Sequence, residues 1–550
     1  MATHDVFNVP APWAGVNTFT GDPGLTRSVT AAGAERHEIQ NLTDLGGLAG
    51  SEVAQDWARL ANAYPPVLKT HDRYGHRIDE VEFHPSWHEL MTVAVSHGLQ
   101  ASAWSPAAGG NAHLLRATGF YLWGQVEQGH CCPISMSYAV LPALRHDPEL
   151  AAQYEPGLLS TRYDFGLRRP ADKAGLLAGM AMTEKQGGSD VRANTTRAIP
   201  NSDGSFSLTG HKWFCSAPMC DLFLVLAQAP DGLSCFLVPR VLDDGSRNVF
   251  GLQRLKDKLG NKSNASSEVE FDGTVGWLLG EQGRGVRTII DMVTMTRLDC
   301  VIGSAAVQRA ALTQAMHHVS GRAAFGATLI DQPLMAEVVA DLAVEVHAAA
   351  ALFARLAHAV DAGESELLRL GVAAGKFWVC KRAPFVVSEA LECLGGAGYV
   401  EESPMPRYLR ESPLNSIWEG SGNVVALDVI RAIGREPGSL QALEEELART
   451  AGEDSRLDAA QNRLAAMIRG LGNDADADAR NARTIASLIA QTLQASVLVA
   501  SATDEPSTVM AEAFLATRLA GRSRSVFGSE EPLGEKTVSA VLAYCDPTRN

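Results

Sequence analysis

One carboxylate on a glycine-flanked turn is the group in this sequence best placed to do chemistry. Glu419 lies in the segment 416–423, SIWEGSGN, directly before an apolar run at helical spacing from Val424 to Ile433. A carboxylate on such a turn can meet a substrate and act as a general base. The alternative is an ordinary helix start, with Ser421 or Asn423 as the N-cap and Glu419 solvated near the positive end of the helix dipole. Taken alone, the turn favours the alternative.

Four other segments accompany this turn, and together they favour chemistry. They are MTEKQGGSD at 182–190, GHKWFCS at 210–216, RAAFG at 322–326 and LGGAGY at 394–399. In this order and at these separations the five segments resemble the acyl-CoA dehydrogenase flavoprotein family, over residues from about 60 to about 435. The segment VFNVP at 6–10, the block 255–265 and the tail 435–550 resemble the alkylation-response (AidB) branch of that family, which is isovaleryl-CoA-dehydrogenase-like.

The resemblance implies a fold, a cofactor and a catalytic role. The fold is α+β and mostly α, with an N-terminal helical domain, a middle β-barrel, a C-terminal four-helix bundle and an extra C-terminal helical domain. The cofactor is FAD, expected between the barrel and the bundle. Glu419 takes the role of the base that abstracts the α-proton of an acyl-CoA thioester while the β-hydride passes to the flavin. Arg297 orients Glu419 or tunes its pKa, although an intrahelical pair with Asp299 is an equally good interpretation.

The same resemblance assigns the residues that contact FAD. Ser216 and Phe214 stand where the family usually has a threonine and a tryptophan, so a hydrogen-bond donor and an aromatic face are kept. The Arg322 guanidinium suits a bidentate phosphate contact. The full set is Met182, Thr183, Gly188, Ser189, Phe214, Ser216, Arg322, Phe325, Gln332, Gly395, Gly396, Gly420, Ser421 and Asn423.

Several other residues are expected to be structural. Lys212 and Trp213 read as ordinary strand residues, the lysine with a solvated head and the tryptophan with a buried ring. Cys131, Cys132 and Met136 belong to an apolar helix, for which core packing is the better interpretation. The nine cysteines have neither CxxC nor zinc-site spacing, which predicts reduced and mostly buried thiols and no metal.

Periodicity and turn signals divide the 550 residues into five segments. Glycine, proline, threonine and asparagine dominate the first, which is predicted to be an extended arm with one short helix near 52–63. Alternating runs separated by Asp-Gly turns indicate the barrel, and the acidic stretch 472–478 reads as a solvated break between helices. The segments are 1–60 (N-terminal arm), 61–180 (helical domain), 181–285 (β-barrel), 286–434 (flavin-binding bundle) and 435–550 (additional helical domain).

Net charge and hydropathy limit the kinds of partner that the protein is expected to bind. The formal net charge is −16, and residues 434–550 carry twelve Lys and Arg against seventeen Asp and Glu. Such a balance disfavours polyanions, so the duplex DNA binding that the resemblance allows should be weak and confined to a patch such as Arg518, Arg522 and Arg524. No apolar stretch of membrane-spanning length and no secretory signal is evident, so a cytoplasmic location is expected.

Three functions remain after these arguments. The leading one is FAD-dependent acyl-CoA oxidation by a homotetramer. The second is a DNA-associated flavoprotein of the alkylation-damage response with weak or vestigial dehydrogenase activity. The third is an oxygen-reactive flavin oxidase or monooxygenase, because a base beside a flavin serves that chemistry too. The acyl chain and the electron acceptor are not readable from the sequence.

Overall fold

The computed structural model describes residues 3–520, 526–528 and 532–548. They form two compact units that interleave along the chain. Unit 1 contains residues 1–54, 113–126 and 300–550, and unit 2 contains residues 55–112 and 127–299. The α-helices are α1 Pro23–Ala31, α2 Arg36–Ala49, α3 Glu52–Ala63, α4 Pro85–Ser96, α5 Ala112–Gly124, α6 Cys131–Leu144, α7 Pro148–Leu158, α8 Gly285–Gly321, α9 Pro333–Asp361, α10 Ser365–Cys393, α11 Gly396–Tyr399, α12 Met405–Glu411, α13 Gly422–Arg435, α14 Pro437–Ala448, α15 Ser455–Arg469, α16 Ala475–Ala500, α17 Glu505–Phe514 and α18 Glu535–Cys545.

The strands lie mainly in unit 2. They are β1 Val67–His71, β2 Arg77–Glu82, β3 Ala178–Ala181, β4 Arg197–Pro200, β5 Phe206–Ser216, β6 Leu222–Ala229, β7 Gly232–Pro239, β8 Gly251–Leu255, β9 Ser266–Leu279, β10 Ala323–Ala324 and β11 Ala327–Thr328. Strands β1 and β2 form a hairpin that the sequence analysis did not predict. The two strands are short and polar, and only Asp79 and Val81 of β2 are buried, so the alternation of apolar residues is weak.

The predicted barrel is confirmed, with a mixed topology. Strand pairing closes the circuit β6-β4-β5-β9-β7 through the antiparallel pair of β6 and β7, while β3 joins β6 and β8 joins β9. The pairings of β3 and β4 with β6 are parallel. Closure leaves β6 buried over most of its length, which explains its continuous apolar run.

An irregularity in β5 determines which of its side chains face outward. The register between β5 and β9 shifts between Lys212 and Cys215, and both of these residues are buried. Strict alternation would bury residues two apart, whereas this bulge buries residues three apart and leaves Phe214 half exposed. Bulges of this kind re-aim side chains next to functional sites.

The prediction of an extended N-terminal arm is wrong in conformation. Only the expected helix α3 agrees, since α1 and α2 are also helical. Asp22 caps α1 by accepting from the Leu25 N–H, and Pro23 occupies the first helical position. Glu35 and Glu38 form a capping box at the start of α2. These short helices are fixed by capping and by burial of residues such as Leu25 rather than by long periodicity.

Unit 1 is built on long helices. The four helical runs predicted for residues 286–434 appear as α8, α9, α10 and α13, and α10 packs against α9, α13, α14 and α16. The tail is helical as expected, but its acidic stretch is not all linker. Asp474 caps α16, which begins at Ala475, so Asp476 and Asp478 lie in the first turn, where the helix dipole favours acidic side chains.

The expectation that the cysteines and Met136 are buried is confirmed. All nine cysteines are buried as thiols, and Met136 is buried with them. Among the described residues, no helix is both long and apolar enough to cross a membrane. The described residues also contain no group of His, Cys, Asp and Glu that could hold a metal ion.

Candidate active site and cofactor-binding residues

Glu419 occupies a strained turn between the short helical segment Leu414–Ser416 and α13 in unit 1. Its φ is +58°, a left-handed conformation that costs a non-glycine residue on the order of 1–2 kcal/mol. Gly420 follows with a φ of +100°. The Glu419 side chain is partly exposed. A backbone held in such a conformation at a partly exposed carboxylate is typical of a functional site.

Helix α10 anchors the Glu419 turn through the side chain of Lys376. Lys376, which is 2 % exposed, donates to the carbonyls of Asn415 and Gly420 at 2.9 and 2.8 Å. The Asn415 side chain accepts from the Trp418 indole N–H at 2.8 Å and donates to the Ser304 hydroxyl at 3.1 Å. Sequence analysis missed Lys376, although a lysine within the apolar run GVAAGKFWVC signals a buried polar partner.

Two of the glycines assigned to FAD, Gly395 and Gly396, lie beside open space. Ser421 is the N-cap of α13 without a side-chain cap bond, and the Asn423 side-chain oxygen accepts from Arg483 at 3.3 Å. A Cβ at Gly395 or Gly396, which follow α10, would meet no atom within 4 Å. The exposed backbone of these two glycines therefore suits the close approach of a diphosphate, and in this respect the residues fit FAD.

In unit 2, hydrogen bonds connect strand β5 and the segment that follows β3, beside the residues assigned to the flavin ring. The Trp213 N–H donates to the Thr183 carbonyl at 2.8 Å, and the Asn194 side chain donates to the Met182 carbonyl at 2.9 Å. A Cβ at Gly188 would lie 2.4 Å from the Thr183 hydroxyl oxygen, so this position needs glycine. These contacts bring the segments 182–190 and 210–216 together.

A buried ion pair organises this junction, and the expectation of a solvated Lys212 is wrong. The Lys212 ammonium is 2.9 Å from the Glu184 carboxylate, and neither side chain is exposed. Burial would raise the pKa of Glu184, but the Thr195 N–H, the Thr196 hydroxyl and Lys212 outweigh it and hold that pKa well below its usual range. Trp213 is partly exposed rather than buried. Lys212 faces inward because it continues the alternation of the buried Phe206 and Leu208, and Trp213 lies on the opposite face of β5.

The other ring-side residues are accessible. The Phe214 ring is 51 % exposed, Ser189 is exposed, and Ser216 is partly exposed at the end of β5. An exposed aromatic ring and an adjacent hydroxyl offer an apolar face and a hydrogen-bond donor. These residues therefore fit the flavin ring that the sequence assigns to them.

Arg322 directly precedes the hairpin of β10 and β11, and Phe325 is the first residue of its two-residue turn. Phe325 and Gly326 both have positive φ, as a type I′ turn requires, and Phe325 is fully exposed. Arg322 donates to the Asn8 carbonyl at 3.0 Å, and the Asn8 side chain bonds both the N–H and the carbonyl of Ala323. Gln332 donates to the Ala324 carbonyl at 3.2 Å. One nitrogen of Arg322 thus holds the N-terminal segment, a contact that sequence analysis missed.

Arg297 lies on α8 and is partly buried, within the part of α8 that belongs to unit 2. Asp299, its alternative partner, is 4 % exposed. The choice between a role at Glu419 and an intrahelical pair stays a prediction.

A cationic cavity in unit 2 was not predicted. Its volume is about 610 Å³, and three arginines line it together with apolar and amide side chains: Arg192, Gln228, Leu233, Gly283, Arg284, Val286, Arg287 and Ile290. Arg284 and Arg287 lie at the start of α8, where the helix dipole disfavours cations. An anion in the cavity would reverse that penalty, because helix N-termini and guanidinium groups both bind phosphate. Cations at a helix start were the signal that could have revealed it.

The basic patch proposed for DNA loses a member. Arg518 is 6 % exposed and bonded to Asp341 and Glu345, each at 2.7 Å. Its charge is neutralised within unit 1, so the prediction that it contacts DNA phosphates is wrong. Arg522 and Arg524 lie outside the described residues.

Comparison with known protein families assigns three regions of the chain. Residues 8–165 match the adaptive response protein AidB N-terminal domain. Residues 179–274 match the acyl-CoA dehydrogenase middle domain. Residues 283–434 match the acyl-CoA dehydrogenase C-terminal domain.

Individual proteins agree with that assignment. The chain is 47 % identical to AidB of Escherichia coli strain K12 over 472 residues, which is 85 % of this chain and 87 % of that protein. It also resembles the crystal structure of Caenorhabditis elegans ACDH-11 in complex with C11-CoA, with a TM-score of 0.85, 26 % identity, and coverage of 97 % and 94 % of the two chains. Acyl-CoA dehydrogenase complexed with FAD from Bacillus anthracis, at 19 % identity and a TM-score of 0.64, covers 84 % of this chain and 82 % of its own, and shares the fold.

Proposed function

The chain belongs to the acyl-CoA dehydrogenase family of FAD-dependent oxidoreductases, in its AidB branch, and we propose that it oxidises an acyl-CoA thioester with Glu419 as the base. The observation that carries the proposal is the Glu419 turn. It presents a partly exposed carboxylate in a left-handed conformation on a backbone anchored by Lys376 and Asn415.

Glu419 accepts the α-proton of the thioester in this scheme, and its backbone N–H helps to hold the thioester carbonyl. Enolate-like charge develops on that carbonyl as the proton leaves, so a fixed donor there lowers the barrier. When bound, FAD supplies the hydride acceptor that protein side chains cannot provide. Arg297 is proposed to orient the carboxylate.

The residues assigned to FAD keep their roles as proposals. In unit 2, Phe214 offers an aromatic face, Ser216 a hydroxyl donor, and Met182 and Thr183 a strand end fixed by hydrogen bonds. In unit 1, Gly395 and Gly396 leave backbone open for the diphosphate. Support for this assignment comes from the family's dependence on FAD and from the exposure of these residues.

The cationic cavity is proposed to bind the phosphates of coenzyme A. A coenzyme A thioester carries a diphosphate and a 3′-phosphate, and three guanidinium groups, two of them at the start of α8, match that charge. The C11-CoA bound to the C. elegans relative supports an acyl-CoA as the class of ligand.

Anaerobic titration of the FAD-loaded protein with a panel of acyl-CoAs tests the proposal. We expect loss of the oxidised flavin absorbance with at least one thioester. Glu419→Gln should keep FAD bound and slow that bleaching by a factor of about 10² to 10⁴, the usual cost of losing a positioned base. Absence of bleaching by every thioester, or equal rates in the parent and the variant, would refute the role of Glu419.

A further inference from the structure

Lys376 is a buried cation that the proposed chemistry does not use directly. It lies in the middle of α10 and is among the largest fully buried side chains of the described chain. Removing a charge from water costs free energy unless hydrogen bonds compensate it. Lys376 therefore needs hydrogen-bond acceptors that offset the free-energy cost of burying its charge.

The hydrogen bonds of Lys376 indicate its structural role. An ammonium group has three donors, and the two acceptors found for it are main-chain carbonyls, those of Asn415 at 2.9 Å and Gly420 at 2.8 Å. These carbonyls lie on either side of the candidate base, four residues before it and one residue after it. One cation thus fixes both ends of the turn.

The same turn is braced through Asn415. Its side-chain oxygen accepts from the Trp418 indole, the residue next to Glu419, and its amide nitrogen donates to Ser304 of α8. A second lysine of α10, Lys381, reaches only a side chain, the Ser416 hydroxyl at 3.2 Å. Lys376 is therefore the lysine that holds the backbone.

We propose that Lys376 is the positioning residue of the Glu419 base, acting through the carbonyls of Asn415 and Gly420. The inference rests on the proposed function of Glu419. A glutamate whose backbone is in the left-handed region relaxes to other conformations unless the surrounding structure holds it there. The ammonium opposes that relaxation by holding the backbone on both sides, so that the carboxylate keeps one direction toward its substrate.

The test compares binding with chemistry in the FAD-loaded protein. Lys376→Met keeps a straight apolar side chain and removes the ammonium. We expect it to retain FAD and to bind acyl-CoA as the parent does, measured by perturbation of the flavin spectrum. The rate of anaerobic flavin reduction should fall about 10²-fold, the loss expected when a reacting group moves by about 1 Å.

Combining variants separates positioning from general damage. In the Glu419→Gln background, Lys376→Met should cause no further loss, because a residue that acts through Glu419 has nothing left to position. Equal losses in both backgrounds would overturn the inference. Lys381→Met is the matched control on the same helix, and it should leave the reduction rate unchanged because it removes only a bond to a side chain.

Four further outcomes are decisive. Lys376→Gln keeps an amide donor without the charge, so its rate should lie between those of the parent and Lys376→Met. Loss of bound FAD in both Lys376 variants would overturn the inference, since that would show a role in stability alone. If Glu419→Gln slows reduction while Lys376→Met does not, only the inference fails. If Glu419→Gln reduces as fast as the parent, the proposed function fails and the inference with it.

Discussion

At the residue scale, the buried Glu127 carboxylate of unit 2 makes several hydrogen bonds. It accepts hydrogen bonds from the N–H groups of Gly129 and His130, from the His130 ring, from Asn62 and from the Ser263 hydroxyl. Burial would raise its pKa, but the His130 ring and the other donors lower it to about 2. The carboxylate is thus stabilised in its ionised form and connects three chain segments, around residues 62, 127–130 and 263.

This depressed pKa makes the stability of unit 2 sensitive to acid. Because the folded pKa of Glu127 lies below its ordinary value of 4.5, its contribution is complete above that value and is lost as the pH falls toward about 2. The contribution is about 3 kcal/mol, since each pKa unit corresponds to about 1.4 kcal/mol. Glu127→Gln should flatten the pH dependence of unfolding between about pH 5 and pH 2. Urea denaturation of parent and variant across this range measures the effect, and parallel curves would contradict it.

The cationic cavity gives a second prediction for single residues. Arg287→Ala should raise the KM for an acyl-CoA about tenfold, the cost of one hydrogen bond to a charged group. The KM for the matching acyl-pantetheine, which lacks the diphosphate and the 3′-phosphate, should not change. Arg197→Ala, on an exposed position of β4, is the control. Similar losses with both substrates would show that the cavity does not recognise phosphate.

At the element scale, the C-terminal helices owe their docking to a buried charge network. A π-helical turn, Leu515–Leu519, follows α17 and carries Arg518. Asp341 and Glu345 of α9 accept from its guanidinium, and a second arginine, Arg382 of α10, lies 3.3 Å from Glu345. The turn therefore directs a cation into unit 1.

Replacing Arg518 tests this reading against the DNA-contact hypothesis. Arg518→Ala leaves Asp341 and Glu345 buried without that partner, so it should lower the free energy of unfolding by about 3–5 kcal/mol. The exposed control Arg480→Ala should change it by less than about 0.5 kcal/mol. Chemical denaturation measures both.

DNA binding supplies the opposing outcome. Any affinity for duplex DNA should keep the same dependence on salt in Arg518→Ala, since the slope reports only phosphate contacts. A flatter slope with unchanged stability would return Arg518 to the DNA surface.

At the scale of the whole molecule, unit 1 leaves large apolar side chains uncovered in the single chain. Leu334 of α9, Phe385 of α10 and Tyr399 of α11 are 74 %, 57 % and 78 % exposed. Uncovered side chains of this size on helices are typical of surfaces that meet another chain. The homotetramer stays a prediction of the family resemblance, and these side chains are candidates for its contacts.

The assembly is measurable directly. Light scattering of the FAD-loaded protein should give four times the chain mass of 58.6 kDa. Phe385→Glu should shift the mass to smaller species, because burying an unpaired carboxylate at an interface is costly. The exposed Phe7→Glu is a comparison outside these helices. A monomer that retains FAD would contradict the prediction.

The sequence by itself determined the family, the barrel and the long helices. Segments such as 416–423 and 394–399 are short and continuous in the chain. Their residue types suit contact with a cofactor or a substrate, and this can be recognised without knowing the rest of the fold. Helical periodicity in α8, α9 and α10 and Asp-Gly turns in the barrel are likewise local, so they can be read without coordinates. The candidate base, Glu419, was found in this way.

Only the tertiary structure decided what supports those residues. Lys376 meets carbonyls 39 and 44 residues away in the chain, and Lys212 meets Glu184 across 28 residues. Arg518 was assigned to the surface until its acidic partners on α9 showed it buried. The spacing of residues in the sequence does not reveal such partners. The free energy of a buried charge depends on which distant groups the fold brings within hydrogen-bonding distance.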